Sequence, residues 1–370
     1  MAKESDYSLP FQDRLLSLDF FRGLTMFLLI AEGTLLFEKM VDPAFEGTLL
    51  GALGTQFHHH PWHGLRFWDL VQPFFMFIVG VALPFSVARR VQRGEGQSLI
   101  TRHAVQRSLL LLLMGWMLGC IGSGAITFQF QNVLCQLSVT YLIAFLMMNK
   151  TFRVQLIFTF FLLLISEGLY RCFPVDGFNQ PFTPDHNLGA YVDLLISGEL
   201  SQGHWVSFNA IPTTAHTLWG VMAGQLLMSD KTGNKKTLLL IGFGLIGLVA
   251  GYSLDSLTPI IKRIATSSFV IASGGWCLLA IALSYWLIDV RKIHRGIKFF
   301  VIVGMNPLFI YLFSEIGGGR FLYRIPKPFT LALLAWAGDF YAAIAASFVT
   351  LAMLWYICYW LYKRKIFIKI

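Results

Sequence analysis

Charged residues are scarce in this chain: only 13% of its 370 residues are Asp, Glu, Lys or Arg, whereas 56% are hydrophobic. The mean hydropathy is correspondingly high, at +0.63. This composition leaves too little polar surface to cover a water-soluble globule of this length, which excludes an ordinary soluble domain. A lipid bilayer must supply the apolar surroundings, so we expect an integral membrane protein.

Cysteines are few, and a signal-peptide pattern is lacking. The cysteines lie in or at the ends of apolar segments, without the even count and loop spacing of a disulfide framework or a metal site, so we expect no bridge. The polar N-terminal segment 1–14 leads into an apolar run that already carries charges, and no small-residue cleavage site follows. We therefore expect the first span to remain in the mature protein. The five cysteines are Cys120, Cys135, Cys172, Cys277 and Cys358.

What the sequence has in abundance is apolar runs near 20 residues long, which predict about ten transmembrane helices. No fixed-period repeat accompanies them. We expect an all-α polytopic membrane protein. The runs lie near 18–38, 67–88, 107–125, 132–149, 153–172, 208–228, 237–255, 266–288, 298–316 and 340–362.

The basic residues predict the orientation of these spans. A net charge of +9 would suggest nucleic acid in a soluble protein, but here the Lys and Arg residues gather in short loops. With ten spans all these loops fall on one side, which predicts cytoplasmic loops and two cytoplasmic termini. We expect no nucleic-acid partner. The clusters lie at 89–107, 150–153, 231–236, 291–298 and 363–369, and the longer segments 39–66, 173–207 and 317–339 would face the other side.

Ionisable residues inside spans are costly, so each is a candidate functional residue. Asp19 and Arg22 are three residues apart on one helix face, which fits either a structural pair or a site for an anionic ligand such as a nucleotide phosphate. Asp69 begins the second span, where it can cap the helix or orient a nearby histidine. The full set is Asp19, Arg22, Glu32, Asp69, Glu167, His216 and Glu315.

The segment HHHPWHG is the densest cluster of reactive side chains. Its histidines allow three interpretations: a zinc site, solvated interface histidines, or a general base that titrates near neutral pH. Pro61 disfavours a continuous helix through the segment, and no cysteine or second histidine pair nearby offers the remaining ligands. We therefore expect no metal. The four histidines are His58, His59, His60 and His63.

Five segments, in order along nearly the whole chain, resemble the heparan-alpha-glucosaminide N-acetyltransferase family and its bacterial relatives. The family's large extracytoplasmic N-terminal domain has no counterpart here, as expected of a short bacterial-type member. The resemblance implies a single transmembrane acyltransferase domain over residues 1–370, located in a bacterial inner membrane. The segments are RLLSLDFFRGL, HHHPWHGLRFWDLVQPFFMFIVGVALPFS, NVLCQLSVTYLIAFL, GMNPLFIYLFSE and YKRKIFIKI.

The resemblance also implies roles for single residues. The family's active-site histidine lies three residues before the Trp of its H-x-x-W-x-G motif, which corresponds to His59. Glu32 or Gly33 stands where human-like members have an asparagine, and Ser314 stands where they have a histidine, which leaves the acceptor open. The predicted site comprises catalytic His59, Asp69, Glu32 and Asn306, donor-binding Arg22, Asp19, Arg107 and Gln136, and acceptor-binding Trp62, His63, His216 and Glu315.

The implied reaction moves an acetyl group from cytosolic acetyl-CoA to the amino group of a glucosamine-type sugar on the far side of the membrane. His59 would act as general base or would carry the acetyl group, two routes that the sequence leaves open. Two other functions also remain open: a secondary transporter, which should show paired halves with broken helices, and a membrane glycan O-acetyltransferase. The sequence also leaves a homodimer open.

The predicted orientation can be tested with reporters that are active only in the cytoplasm. We expect a reporter fused after Ile370 to be active and one inserted near Gln202 to be silent, because basic loops stay on the cytoplasmic side. Measured reporter activity in intact cells gives the answer. The reverse pattern would contradict the orientation and the two-sided reaction that depends on it.

Overall fold

The computed structural model describes residues 15–368 of the chain. The polar N-terminal segment 1–14 and Lys369 of the last basic cluster lie outside the described residues. Within them the secondary structure is helical, and extended pairing is limited to one isolated antiparallel bridge between His63 and Ile261. The predicted all-α class is therefore confirmed.

Sixteen α-helices are described, separated by turns and short 3₁₀ segments. They are α1 (Leu16–Glu32), α2 (Leu36–Met40), α3 (Leu49–Gln56), α4 (Val71–Gln92), α5 (Gln97–Ser123), α6 (Val133–Met147), α7 (Phe152–Arg171), α8 (Leu188–Ser197), α9 (Ala210–Met228), α10 (Gly233–Ser253), α11 (Ser267–Tyr285), α12 (Ile297–Gly304), α13 (Pro307–Glu315), α14 (Gly318–Tyr323), α15 (Lys327–Leu333) and α16 (Asp339–Lys363).

Six of the described helices are long and apolar enough to cross a bilayer, namely α4, α5, α7, α10, α11 and α16, each with any short helical extension that continues it. The pair α12 and α13 gives a seventh span if it is counted as one, although it bends by 73° at its break. The predicted count of about ten is not confirmed. Three predicted spans fall on helices that are shorter or more polar: α1 has 17 residues, α6 has 15, and α9 carries Thr213, Thr214, His216 and Thr217.

The long helices divide into central and peripheral ones. The most apolar stretch of α4 is 67% buried inside the protein and that of α11 is 56% buried. The corresponding stretches of α5 and α7 are 28% buried, and that of α10 only 22%. Since most side chains in these outer stretches are not buried in the protein, they form the surface that faces lipid tails.

Glycines allow α4 and α9 to approach each other at backbone distance. A Cβ atom at Gly80 of α4 would lie 2.0 Å from the carbonyl oxygen of Thr217, and one at Gly220 of α9 would lie 2.2 Å from that of Phe77. Small residues at helix contacts permit this close packing in membranes, where burial of apolar surface gives little driving force. The contact fixes α4, whose N-terminal end carries the candidate site.

This close contact predicts a large cost for one added methyl group. We expect Gly80→Ala to lower the free energy of unfolding by about 1–3 kcal/mol, because a backbone carbonyl cannot move aside without shifting a helix. The measurement is the thermal midpoint of detergent-solubilised protein. Gly242→Ala is the matched control, since Gly242 is an exposed helical glycine with no atom within 4 Å of the added Cβ. Equal midpoints for the two variants would contradict the packing argument.

Candidate active site

The loop between α3 and α4 carries the histidine motif and is held together by one carboxylate. Asp69 is 1% exposed and sits in the 3₁₀ turn that precedes α4. Its Oδ2 accepts hydrogen bonds from the backbone N–H groups of His60, at 3.2 Å, and Arg66, at 2.9 Å. The Arg66 guanidinium also donates to the carbonyl of His59, at 3.0 Å. Asp69 therefore serves as a cap for the turn and as a clamp on the loop.

The other oxygen of Asp69 orients His59. Oδ1 lies 2.9 Å from His59 Nδ1. Because a carboxylate oxygen can only accept, this short distance requires the proton on Nδ1. Nε2 is then the basic nitrogen, and it has no hydrogen-bond partner among residues 15–368. The side chain of His59 is 34% exposed, so Nε2 can reach a molecule outside. Asp69 therefore has both predicted contacts at once: Oδ2 caps the turn, and Oδ1 orients His59.

The remaining histidines of the motif point elsewhere. His58 Nε2 lies 3.1 Å from the carbonyl oxygen of Phe37, and His63 Nε2 lies 2.8 Å from Asp255 Oδ1. The ring of His60 lies against Gly64, where an added Cβ would be 2.6 Å from His60 Nε2. Gly64 also has a φ of 141°, so the glycine of the motif is required on two grounds. The described part of the chain contains no group of three or more His, Cys, Asp or Glu residues able to hold a metal ion.

A second loop, 257–266, closes over the first and brings in a residue that the sequence analysis missed. Gly64 N–H donates to Ile260 O at 2.8 Å, beside the bridge between His63 and Ile261. The next residue, Lys262, is 6% exposed. Its Nζ lies 3.1 Å from His59 Nδ1 and 3.8 Å from Asp69 Oδ1. One feature of the sequence could have indicated it: Lys262 and Arg263 form a basic pair on the side of the membrane that is otherwise predicted to be poor in basic clusters.

Burial and charge set the protonation states of this cluster. Partial burial, reinforced by the positive charge of Lys262, lowers the pKa of His59 to about 4, although Asp69 acts in the opposite direction. Burial lowers the pKa of Lys262 to about 8 against the attraction of Asp69 and Glu32. At pH 7 the imidazole is therefore neutral and the lysine still mostly protonated.

Aromatic rings form the wall around this cluster. The ring of Trp205 lies edge-on to His59 with centroids 5.3 Å apart, and Lys262 Nζ lies 5.2 Å from its centroid. Arg263 lies over the same ring at 5.0 Å, so two cations interact with one aromatic ring. Trp62, a predicted acceptor residue, donates its indole N–H to Phe182 O at 2.8 Å and thereby ties the motif to the segment before α8.

Two further carboxylates lie between the histidine cluster and the protein interior. Trp68 Nε1 donates to Glu32 Oε1 at 3.0 Å, which places the end of α1 directly beneath the Asp69 turn. Glu32 interacts electrostatically with Lys262 and with Glu315 at the end of α13. The structure therefore places predicted residue Glu32 beside the histidine cluster, and predicted residue Glu315 near Glu32.

A cavity of about 730 Å³ runs along α4 from its other end. Its lining includes Phe75 near the N-terminus of α4 and Arg90 near the C-terminus, about 22 Å apart at 1.5 Å per residue. The walls between them are mainly apolar. Five arginines line it at or toward the predicted cytoplasmic end, together with Asp19 and His103: Arg22, Arg89, Arg90, Arg93 and Arg107.

The deep end of the cavity approaches the histidine cluster through polar groups. Tyr311 lines the cavity, and it interacts with the side chain of Asn132 by a hydrogen bond and with Glu32 and Glu315 electrostatically. Glu32 in turn contacts Trp68 and attracts Lys262. Gln136, predicted to bind the donor, lies on the same helix as lining residues of α6, but its amide is hydrogen-bonded to Gln72 and to the carbonyl of Gln131.

Two predicted site residues lie apart from this arrangement. Asn306 is fully buried and its amide holds the C-terminal segment: Nδ2 donates to Ile366 O at 3.0 Å and Oδ1 accepts from Ile368 N–H at 2.8 Å. Because Ile368 lines the cavity, Asn306 helps to shape the cavity and does not contact His59. His216 is fully buried in α9, with Nε2 2.8 Å from Ser273 Oγ.

These features define a helical membrane protein with a His-Asp-Lys cluster at one end of α4 and an arginine-lined cavity at the other. No family model matches the chain. It is 23% identical to heparan-alpha-glucosaminide N-acetyltransferase of Homo sapiens over 429 aligned positions, which cover 96% of this chain and 60% of the relative. The Mus musculus protein of the same name is 23% identical over 426 positions, with 97% and 61% covered.

The chain thus spans about 60% of the length of the curated relatives it matches. The resemblance indicated by the five sequence segments is confirmed, at the distance of a remote relative.

Proposed function

We propose that this chain is a transmembrane acetyltransferase, which transfers an acetyl group from cytosolic acetyl-CoA to the amino group of a glucosamine-type sugar on the opposite side of the membrane. The proposal depends on two half-sites at opposite ends of α4: the basic cavity and the neutral imidazole of His59. The polar residues Tyr311 and Glu32 lie between them. The similarity to two proteins named as N-acetyltransferases supports the same reaction class.

The cavity suits a donor that has an anionic head group, which the arginines can bind, and a long arm that can lie along the apolar wall. Guanidinium groups bind phosphate oxygens with paired, charge-assisted hydrogen bonds, and five arginines line this cavity. Burial of the arm along the apolar wall would carry the thioester toward Tyr311. A route through the protein is needed because neither a nucleotide thioester nor a sugar outside crosses the hydrocarbon region unaided.

His59 has the geometry of a general base or of an acetyl carrier. In direct transfer, the acceptor nitrogen forms a bond to the carbonyl carbon, the C–S bond breaks, and the proton from nitrogen passes to Nε2 and finally to the CoA sulfur. In the two-step route, Nε2 forms a bond to the acetyl carbon as the C–S bond breaks and the CoA thiolate leaves. The amine then attacks the same carbon, the C–Nε2 bond breaks, and the amine proton is taken up by the thiolate. Asp69 holds the imidazole in the tautomer that both routes need.

The donor half of the proposal predicts a thermal shift. We expect acetyl-CoA to stabilise the folded protein, by about 2.7 kcal/mol at a hundredfold excess over its Kd, because a ligand that binds only the folded state shifts the equilibrium by mass action. The shift should be smaller for Arg107→Gln, since Arg107 lines the cavity with a buried Nε that has no hydrogen-bond partner in the described part of the chain.

The matched control for this measurement is Arg153→Gln. Arg153 is an exposed arginine in the first turn of α7 and does not line the cavity, so its variant should keep the full shift. Absence of any shift in the unmodified protein at millimolar acetyl-CoA would contradict the donor assignment and favour a transporter.

The acceptor half predicts a sharp difference between adjacent histidines. We expect His59→Ala to reduce acetyl transfer to glucosamine by at least about 10³-fold while acetyl-CoA still stabilises the protein, because general base and carrier are lost but the cavity is intact. His58→Ala and His60→Ala should retain most activity, since their rings point away from His59. The assay is transfer of labelled acetyl groups at saturating acetyl-CoA.

A result in which His59→Ala matches the unmodified protein would remove the catalytic assignment. Acetylated hydroxyl groups in the product, with the amine unchanged, would favour a glycan O-acetyltransferase instead.

A further inference from the structure

Lys262 occupies a position that the proposed reaction does not explain. It is a lysine with 7% of its side chain exposed, in a loop that reaches the histidine motif from 203 residues away along the chain. An ammonium group buried this deeply carries a substantial desolvation cost unless charged partners compensate it. Its nearest polar side chains are the two members of the His59–Asp69 pair.

The segments packed around Lys262 each place a charged or titratable side chain near its ammonium group. The turn before α4 presents Asp69, the end of α1 presents Glu32, and the motif loop presents His59. Its own neighbour Arg263 adds a second positive charge, and the ring of Trp205 offers its face to both cations. The two carboxylates therefore hold Lys262 in its charged form, and the cations face the imidazole.

The distances distinguish the hydrogen bond between Asp69 and His59 from the electrostatic interaction between Lys262 and His59. His59 Nδ1 has one in-plane hydrogen-bond position, and the 2.9 Å contact with Asp69 Oδ1 uses it as a donor. Lys262 Nζ, 3.1 Å from the same nitrogen, therefore cannot also donate to Nδ1. It stands beside the imidazole as a positive charge, which favours the neutral ring over the imidazolium ion.

The geometry points to Lys262 as a positioning residue of the acetyl-transfer site: together with the partial burial of the ring, its ammonium group keeps His59 neutral, with Nε2 unprotonated, at acidic pH. This inference rests on the proposed function. Asp69 alone would favour the imidazolium ion, as it does in any carboxylate–histidine pair. With Lys262 beside them, Asp69 can orient the ring without charging it, so the nitrogen that must accept a proton or an acetyl group stays available.

A chemical probe of His59 tests this inference without any need for enzyme activity. Diethyl pyrocarbonate acylates the neutral imidazole only, so the pH dependence of its reaction at His59, located by peptide mass spectrometry, reports the protonation of that ring. A free histidine-containing peptide in the same tube should react about 30-fold more slowly at pH 5.0 than at pH 7.5, given the ordinary pKa of about 6.5. His59 of the unmodified protein should slow by less than about twofold.

Two variants assign the effect to the charge of Lys262. Lys262→Met keeps the length of the side chain and removes the charge, so His59 labelling should slow at least about threefold between pH 7.5 and 5.0. Lys262→Arg should retain the behaviour of the unmodified protein. Lys236→Met is the control for loss of a lysine elsewhere, because Lys236 lies in the first turn of α10, at the other end of the protein, where it donates to Leu227 O at 2.8 Å.

Acetyl transfer to glucosamine, measured on the same samples at both pH values, distinguishes this inference from the proposed function. We expect Lys262→Met to lose at least about threefold more activity at pH 5.0 than at pH 7.5, relative to the unmodified protein. Labelling as expected without any transfer would overturn the proposed function and leave the effect of Lys262 on His59 standing.

Transfer with an unchanged labelling profile in Lys262→Met would overturn the role of Lys262 alone. A steep loss of His59 labelling at pH 5.0 in the unmodified protein would overturn it even if no variant folds.

Discussion

The candidate site depends on the buried carboxylate of Asp69. One oxygen satisfies two backbone N–H groups of the histidine loop, and the other fixes the tautomer of His59. A buried carboxylate without such partners would cost several kcal/mol. Because its hydrogen bonds all lie on one loop and one turn, the same side chain that lets the chain enter α4 also determines which nitrogen of His59 is basic. Helix entry and chemistry are therefore a single local arrangement.

The length of helix α4 determines the distance between the histidine cluster and the predicted cytoplasmic end of the cavity. Its 22 residues give a rise of about 33 Å, close to the thickness of the hydrocarbon core. Asp69 precedes its first turn, and two of the cavity arginines, Arg89 and Arg90, lie in its last turn, so the two half-sites are held a membrane's width apart by one rigid element. The glycine contacts with α9 keep this helix in place. The bend between α12 and α13 brings Tyr311 and Glu315 to the region between the half-sites.

The sequence predicted the parts of this arrangement that are local. The register of H-x-x-W-x-G singled out His59 among four histidines, and the ten-residue spacing to Asp69 lies within one loop and turn. The arginines of 89–107 came from one short loop. Apolar runs predicted the long helices, but α1, α6 and α9 are less extended or more polar than a run of hydrophobic letters suggests, because their neighbours in the fold, rather than lipid, satisfy their polar side chains.

What could not be predicted are contacts between distant segments. Lys262 appears in the sequence as one basic residue in a short loop, and only the bridge of His63 with Ile261 brings it to His59. Asn306 is a second example of a distant contact: this residue was predicted to be catalytic, and in the structure both ends of its amide are bound to the backbone near Ile366. Sequence patterns identify which residues are unusual, whereas the partner of each is decided by the fold.

The long separation between His59 and Lys262 also has a consequence for biosynthesis. As the chain emerges, Asp69 and the first helices are made well before Lys262, which lies 193 residues further along, and segments generally fold in the order of their synthesis. During that interval the carboxylate has no lysine beside it, and the loop relies on its bonds to His60, Arg66 and His59. The local clamp is thus formed early, and the ammonium group of Lys262 joins the His59–Asp69 pair later.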